Sequence, residues 1–294
     1  MTGASGFVGQ AWLAKFGSQH EIYSIGRTPP QMGTSDNLVH HVNCDLSTPG
    51  ELKSIIGAGQ LPKDVDLVLH LAVSALHRTF PTTASDMFEV NVSSTAALLD
   101  YAYSVGSQQF VLGSSGSVYD GCVPGSLQET TRLDPQRYFP ASKFAAELLA
   151  REYRSYLKIC TLRFFTPYGP NQTNRLIPDL ISRVKQGHTI DLPLEGPGIN
   201  FSMTYIDDAI KIINTVLESQ WDGTFNVAQP SPMSIQTVAQ TIASIQGREP
   251  VFSRSASVAN YKMVPDLSLL ANIYPIDEMI RPQVGLAQTI VTYE

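Results

Sequence analysis

Three glycines spaced three apart stand almost at the start of the chain, Gly3, Gly6 and Gly9 in Thr2-Gly3-Ala4-Ser5-Gly6-Phe7-Val8-Gly9, and an apolar helical stretch follows them directly. Glycine permits a tight turn and lets backbone N–H groups come close to a ligand, while a helix N-terminus adds the positive end of its dipole. That combination suits a pyrophosphate, and in a dinucleotide fold it follows the central first strand of a parallel sheet. Here the turn begins at Thr2, so no residues are present to form that strand. The expectation is a chain truncated or misannotated at its start rather than a sheet without its middle strand.

The rest of the chain is read against that turn. Short β-rich runs alternate with amphipathic stretches through the first two-thirds, the pattern of a parallel sheet covered by helices on both faces. Strands are expected near 21–25, 38–42, 67–71, 110–113 and 159–164, with helices near 9–16, 50–56, 87–104 and 141–156. After Pro167 the texture changes to Pro/Gly-rich turns such as Glu195-Gly196-Pro197-Gly198, with helices near 177–186, 207–218 and 234–246. The fold class expected is α/β, a Rossmann-type doubly wound sheet over 1–166 with a smaller C-terminal α/β substrate-binding lobe over 167–294. Segments near 200–230 are expected to return to the first domain.

With 294 residues, 43% of them hydrophobic and 16% charged, the chain has material for a large core. Its 20 basic against 26 acidic residues, a net charge of -6, argue against nucleic acid or an anionic membrane as partner, since both need clustered Lys and Arg. The three cysteines, Cys44, Cys122 and Cys160, match neither a disulfide framework nor a zinc site, and no metal is expected. No membrane-length apolar run and no signal-peptide pattern occur, so a reducing cytoplasm is expected.

About twenty residues after the glycines, Ile22-Tyr23-Ser24-Ile25-Gly26-Arg27 closes the next β unit. An acid there would bind the ribose 2′-hydroxyl of NAD; Gly26 leaves room instead, and Arg27 offers a fork suited to a 2′-phosphate. NADP is therefore favoured slightly over NAD, with adenine stacking or surface solvation as the other readings of Arg27.

Taken together these residues resemble the extended short-chain dehydrogenase/reductase family, in its sugar-nucleotide epimerase/dehydratase branch. The resemblance runs on through Asp45-Leu46, His70-Leu71-Ala72, Asn91, Ser114-Ser115-Gly116-Ser117-Val118-Tyr119, Ser142-Lys143, Arg163 to Pro170 and Thr204-Tyr205-Ile206-Asp207-Asp208. It implies that Gly3, Ser5, Gly6, Phe7, Val8 and Gly9 hold the cofactor pyrophosphate. Asp45 and Leu46 would meet adenine, Leu71 and Ala72 would line the cofactor, and Asn91 and Phe165 would join them. Ser115 would hydrogen-bond the reacting hydroxyl or carbonyl, Lys143 would hold the nicotinamide ribose, and Thr166 and Arg175 would touch substrate. A nucleotide-sugar substrate and a homodimer built on the helices near 87–104 and 141–156 are also implied. The plainer readings are a turn cap for Asp45, a satisfied histidine for His70, and for Ser115 a hydroxyl bonding its own turn.

The sequence departs from the family where its proton donor stands, a tyrosine four residues before the lysine. Position 139 is phenylalanine, which keeps the ring and loses the titratable group. Tyr138 lies five residues before Lys143, about 140° around a helix from it, and is expected to point elsewhere unless it belongs to an approach loop. Phe139 is a Tyr→Phe change made to trap a complex, a natural residue with another acid in its place, or the mark of a protein that binds without turnover. Two more departures concern substrate: no basic residue stands in 198–205, and Thr166 occupies a position where asparagine is common. In the family a 4,6-elimination relies on acids directly after the serine, and Ser115-Gly116-Ser117 shows none, so the resemblance favours an epimerase or ketoreductase over a 4,6-dehydratase; a catalytically idle NAD(P)-binding sensor or scaffold is the alternative from another class.

Overall fold

The computed structural model describes residues 1–31, 38–74, 76, 79–120, 127–258 and 260–293, so Cys122 lies outside the described residues. Contacts divide the chain into two compact units, one drawn from Met1–Cys122, Arg132–Arg163 and Ile210–Phe225, the other from Val123–Thr131, Phe164–Ala209 and Asn226–Glu294.

In the first unit the glycine turn leads into helix α1 (Phe7–Phe16). Strands β1 (Ile22–Gly26) and β2 (Val39–Asn43) pair in parallel, with Ile22 opposite Val39. Helix α2 (Glu51–Gly57) precedes β3 (Leu67–His70), which pairs in parallel with β4 (Gln109–Ser115). Between β3 and β4 runs one continuous helical rod: α3 (Ala84–Phe88), a π-helical stretch (Glu89–Ser93) and α4 (Ser94–Ser104). Helix α5 (Tyr138–Glu152) and strand β5 (Lys158–Phe164) follow, and the four-stranded sheet reads β3, β4, β5 and then Gly223–Val227.

The place of the expected central strand is held by the first two residues. Thr2 bridges in parallel to both Ile25 and His70, joining β1 to β3. Its N–H donates to Leu69 O at 3.0 Å, its carbonyl accepts from Leu71 N at 3.2 Å, and Met1 O accepts from Ile25 N at 2.8 Å.

Apolar residues from both faces close the core of this unit: Ile25, Leu52, Ile55 and Val68 meet Leu98, Leu99, Phe110, Leu112, Ala146 and Ile159. In β5 Lys158 is exposed, whereas Arg163, inside the buried run that follows, has a buried partner of its own.

In the second unit, helix Leu176–Gln186 turns Ile177, Leu180, Ile181 and Val184 inward and packs on helix Ile235–Gln246, which buries Val238, Ala239 and Ile242. A parallel pair, Ile190–Pro193 with Phe252–Ser255, and a small sheet of Asn200–Phe201 between Met233–Ser234 and Lys262–Met263 complete it. Among the described residues no helix is long and apolar enough to cross a membrane, and no cluster of three His, Cys, Asp or Glu could hold a metal.

Candidate functional site

The glycine turn is a backbone device. Gly3 has φ 73, and a Cβ there would stand 2.7 Å from the backbone of Leu71 and Ala72. A Cβ on Gly9 would stand 2.1 Å from Gly3 O, so helix α1 is pressed directly onto the turn. Ser5 and Gly6 are exposed and Phe7 and Val8 half-buried. The helix start carries no side-chain cap and no acid in its first turn. Its first N–H groups lack intrahelical acceptors, an arrangement that fits a pyrophosphate. Gly9→Ala displaces the turn by about 1 Å and is expected to weaken dinucleotide binding about a hundredfold, measured by calorimetry; unchanged affinity would show that the turn does not hold the ligand.

At the end of β1 the exposed Arg27 places Nη1 4.0 Å from Asp45 Oδ2. The Asp45 carboxylate accepts from Ser47 N at 2.9 Å and Ser47 Oγ at 2.7 Å, and these bonds hold it below the usual carboxylate range. It therefore caps its own turn while facing Arg27. Leu46 packs against the core, Leu71 is half-buried, and buried Ala72 donates its N–H to Thr2 Oγ1 at 3.2 Å.

Helix α5 starts three residues earlier than expected. Pro140 stands in its first turn, where a missing N–H costs nothing, so the rod includes Tyr138 and Phe139. Phe139 and Lys143 consequently share a helix face as an i, i+4 pair. Tyr138 turns away, its ring stacked on exposed Phe80 at 5.3 Å.

Lys143 is 2% exposed, and Nζ donates to Gly113 O at 2.6 Å, two residues before Ser115 on β4. Burial pulls its pKa down to about 8, partly offset by the Glu147 carboxylate one turn further on. Ser115 Oγ accepts from Ser117 N at 3.1 Å, so this hydroxyl closes its turn and keeps its own proton to donate. Asn91, fully buried in the π-helical stretch, receives Ser74 N on Oδ1 at 3.1 Å and donates Nδ2 to Ser142 Oγ at 2.9 Å.

Sequence reasoning assigned no role to what lies beneath. Arg163 of β5 meets Glu147 at 2.7 Å, with side chains 6% and 8% exposed. Ser114 Oγ donates to Glu147 Oε1 at 2.5 Å, and Arg163 Nη1 donates to Tyr119 OH at 2.8 Å. This network ties α5 to the end of β4 on which Ser115 stands. The available signal was an arginine inside an apolar strand, which demands a buried partner.

The remaining expected residues belong to the second unit. Phe165 is buried and donates its N–H to Val227 O at 3.0 Å. Arg175 is half-buried, with Nη1 donating to Asn174 O at 3.1 Å. Thr166 has φ 38, a left-handed conformation that a β-branched residue strongly resists. Its carbonyl accepts from Thr204 N at 3.2 Å, and Thr204 Oγ1 donates to Phe165 O at 2.9 Å, which clamps the bend. Thr166→Asn, which tolerates this region, is expected to raise stability by about 1 kcal/mol in urea unfolding, and a loss would refute the strain.

A parallel sheet with a glycine cradle at one helix start and a buried lysine behind the neighbouring strand end defines a dinucleotide-binding protein of the short-chain dehydrogenase type. The chain belongs to the NAD dependent epimerase/dehydratase family, whose family model matches residues 1–228. It is 31% identical over 235 residues, 74% of this chain and 68% of the relative, to a dTDP-glucose 4,6-dehydratase of Streptomyces griseus. It is 28% identical over 276 residues, 88% of this chain and 85% of the relative, to an uncharacterized UDP-glucose epimerase of Bacillus subtilis. Among solved structures, a tyrosine-to-phenylalanine mutant of UDP-glucuronic acid 4-epimerase from Bacillus cereus, in complex with UDP-4-deoxy-4-fluoro-glucuronic acid and NAD, has the same fold. The TM-score is 0.82 at 22% identity, over 99% of this chain and 97% of that one.

Proposed function

We propose that this chain binds a nicotinamide dinucleotide at Gly3, Gly6 and Gly9 and acts on a nucleotide-linked sugar, as an epimerase or ketoreductase. The observation that carries this reading is the buried Lys143 ammonium bonded to Gly113 O, on the same strand end that presents Ser115. When bound, the nicotinamide supplies the hydride acceptor and donor. Lys143, still mostly cationic at pH 7 with a pKa of about 8, is held where it can bind the ribose hydroxyls. Ser115 Oγ–H is free to hydrogen-bond the sugar oxygen. Gly116 and Ser117 offer no base beside it, which speaks for epimerisation or re-reduction and against water loss.

In the second unit Thr166 and Arg175 are the proposed substrate contacts; in the first, Asp45, Leu46, Leu71 and Ala72 are the cofactor contacts. Asn91 acts through Ser142, since both ends of its amide are engaged; Phe165 contributes through the backbone bend it starts.

NAD is bound in several structural neighbours. Arg27 nevertheless leaves room for a preference: it is exposed, lies 4.0 Å from a single carboxylate oxygen, and has no acid at the end of β1 to reject a 2′-phosphate. NADP is expected to bind about tenfold more tightly than NAD, and Arg27→Ala to erase the difference; tighter NAD binding would reverse the assignment. Homodimerisation through the α4 and α5 side is part of the same reading, supported by exposed Tyr103 and Tyr156, whose rings pair edge-to-face at 5.3 Å. Cytoplasmic residence is supported by the buried free thiols Cys44 and Cys160.

The test follows the reduced and oxidised cofactor and the sugar configuration in the presence of UDP- and dTDP-hexoses. Dinucleotide binding without any hydride exchange, even with a phenol restored at 139, would leave a binding protein and not an enzyme.

A further inference from the structure

His70, at the end of β3, is fully buried and makes polar contacts through both ring nitrogens. Every proton around it can be placed. Thr95 has one hydroxyl proton, and it goes to Asn91 O at 2.8 Å. Thr95 Oγ1 also lies 3.0 Å from His70 Nε2, so that contact has a hydrogen between the atoms only if Nε2 carries it. The second neighbour of Nε2, Ser94 Oγ at 3.4 Å, has given its proton to Val90 O and is an acceptor too.

On the other side Thr2 Oγ1 stands 2.6 Å from His70 Nδ1 and receives the Ala72 N–H at 3.2 Å. An imidazolium would send a second donor into that oxygen and leave the Thr2 hydroxyl proton without an acceptor. With Nδ1 bare, the Thr2 proton has its place.

The hydrogen bonds then all point one way. Ala72 N–H donates to Thr2, Thr2 to His70, His70 to Thr95, and Thr95 to the Asn91 carbonyl. From the same asparagine, Nδ2 donates to Ser142 Oγ, which donates to Phe139 O at 2.8 Å in the first turn of α5. We infer that His70 is a positioning residue, locked as the neutral Nε2–H imidazole, which ties the glycine turn at Thr2 to the start of the helix carrying Lys143.

The ring stays neutral across the physiological range. Burial, then the Lys143 ammonium on α5, hold its pKa down to about 3. The link rests on the proposed function only for its purpose, since it joins the two segments proposed to hold the cofactor's pyrophosphate and its nicotinamide ribose.

The experiment uses the full ¹⁵N-labelled chain without ligand and reads imidazole nitrogens by long-range correlation spectra. One of the six histidines is expected to show a protonated Nε2 and a bare Nδ1, unchanged from pH 5 to 8 and absent in His70→Gln. An Nδ1–H tautomer, or titration in that range, overturns the inference. Thr95→Val removes the hydroxyl and keeps the shape, so amide exchange should quicken about five- to tenfold at both Ala72 and Ser142, with Thr95→Ser restoring it. Acceleration at one end alone overturns the link. Because no dinucleotide is present, failure of cofactor binding would sink the functional proposal and leave this result standing.

Discussion

Phe139→Tyr is expected to raise turnover of a nucleotide sugar by about 10² to 10⁴, the usual contribution of a positioned acid and base. The phenol would stand one helical turn before Lys143 and on its face, where the buried ammonium favours phenolate. The Michaelis constant should change little because the ring already present defines the same surface. The measurement is steady-state conversion with UDP-hexoses at saturating cofactor, with Tyr138→Phe as control. That control should be neutral, since Tyr138 stacks on Phe80. Equal rates for the chain and Phe139→Tyr would mean that proton transfer does not pass through this position. A large gain would fit a residue substituted to trap a complex as well as a natural loss of activity.

Arg163→Met should be the most destabilising single change in the first unit. It takes the cation away from the Glu147 carboxylate, which is 8% exposed and also accepts from Ser114 Oγ, and removes the Arg163 Nη1 donor from the Tyr119 hydroxyl. Breaking one side of such a pair costs about 3–5 kcal/mol, whereas replacing both partners costs far less. Urea unfolding should therefore show a deep loss for Arg163→Met and a partial return for Arg163→Met combined with Glu147→Gln. Because Ser114 precedes Ser115, the single variant should also lose activity under conditions where it remains folded. A loss below about 1 kcal/mol would show that the ion pair is bystander chemistry.

The geometry of the candidate site was legible where its signals are local. Three glycines at fixed spacing need only the neighbouring turn to explain them, and an i, i+4 relation such as Phe139 to Lys143 follows from helix periodicity alone. The five expected strands lie within a residue or two of their apolar runs, whereas the short strands after Phe164 were not anticipated; β4 extends to Gln109–Ser115 because Ser114 and Ser115 continue the extended backbone despite their polarity. The start of α5 was expected at 141 and lies at Tyr138, because a first turn accepts Pro140.

Other features answer to partners far away in the chain. The expected single helix over 87–104 is interrupted by a π-helical stretch, and that widening turns Asn91 toward Ser74 and Ser142. His70 was read as a satisfied histidine, but its protonation depends on Thr2 and Thr95, 68 and 25 residues away. Arg163 and Glu147 are 16 residues apart and meet because β5 lies beside β4 beneath α5.

By itself the sequence determined the glycine-rich turn, the parallel α/β class and the phenylalanine at position 139, since each depends on residue type and short spacing. Only the tertiary structure decided that Thr2 bridges β1 and β3, that Lys143 is buried against Gly113, and which way the protons around His70 point. Those outcomes depend on which distant groups share a desolvated space, where every donor must find an acceptor.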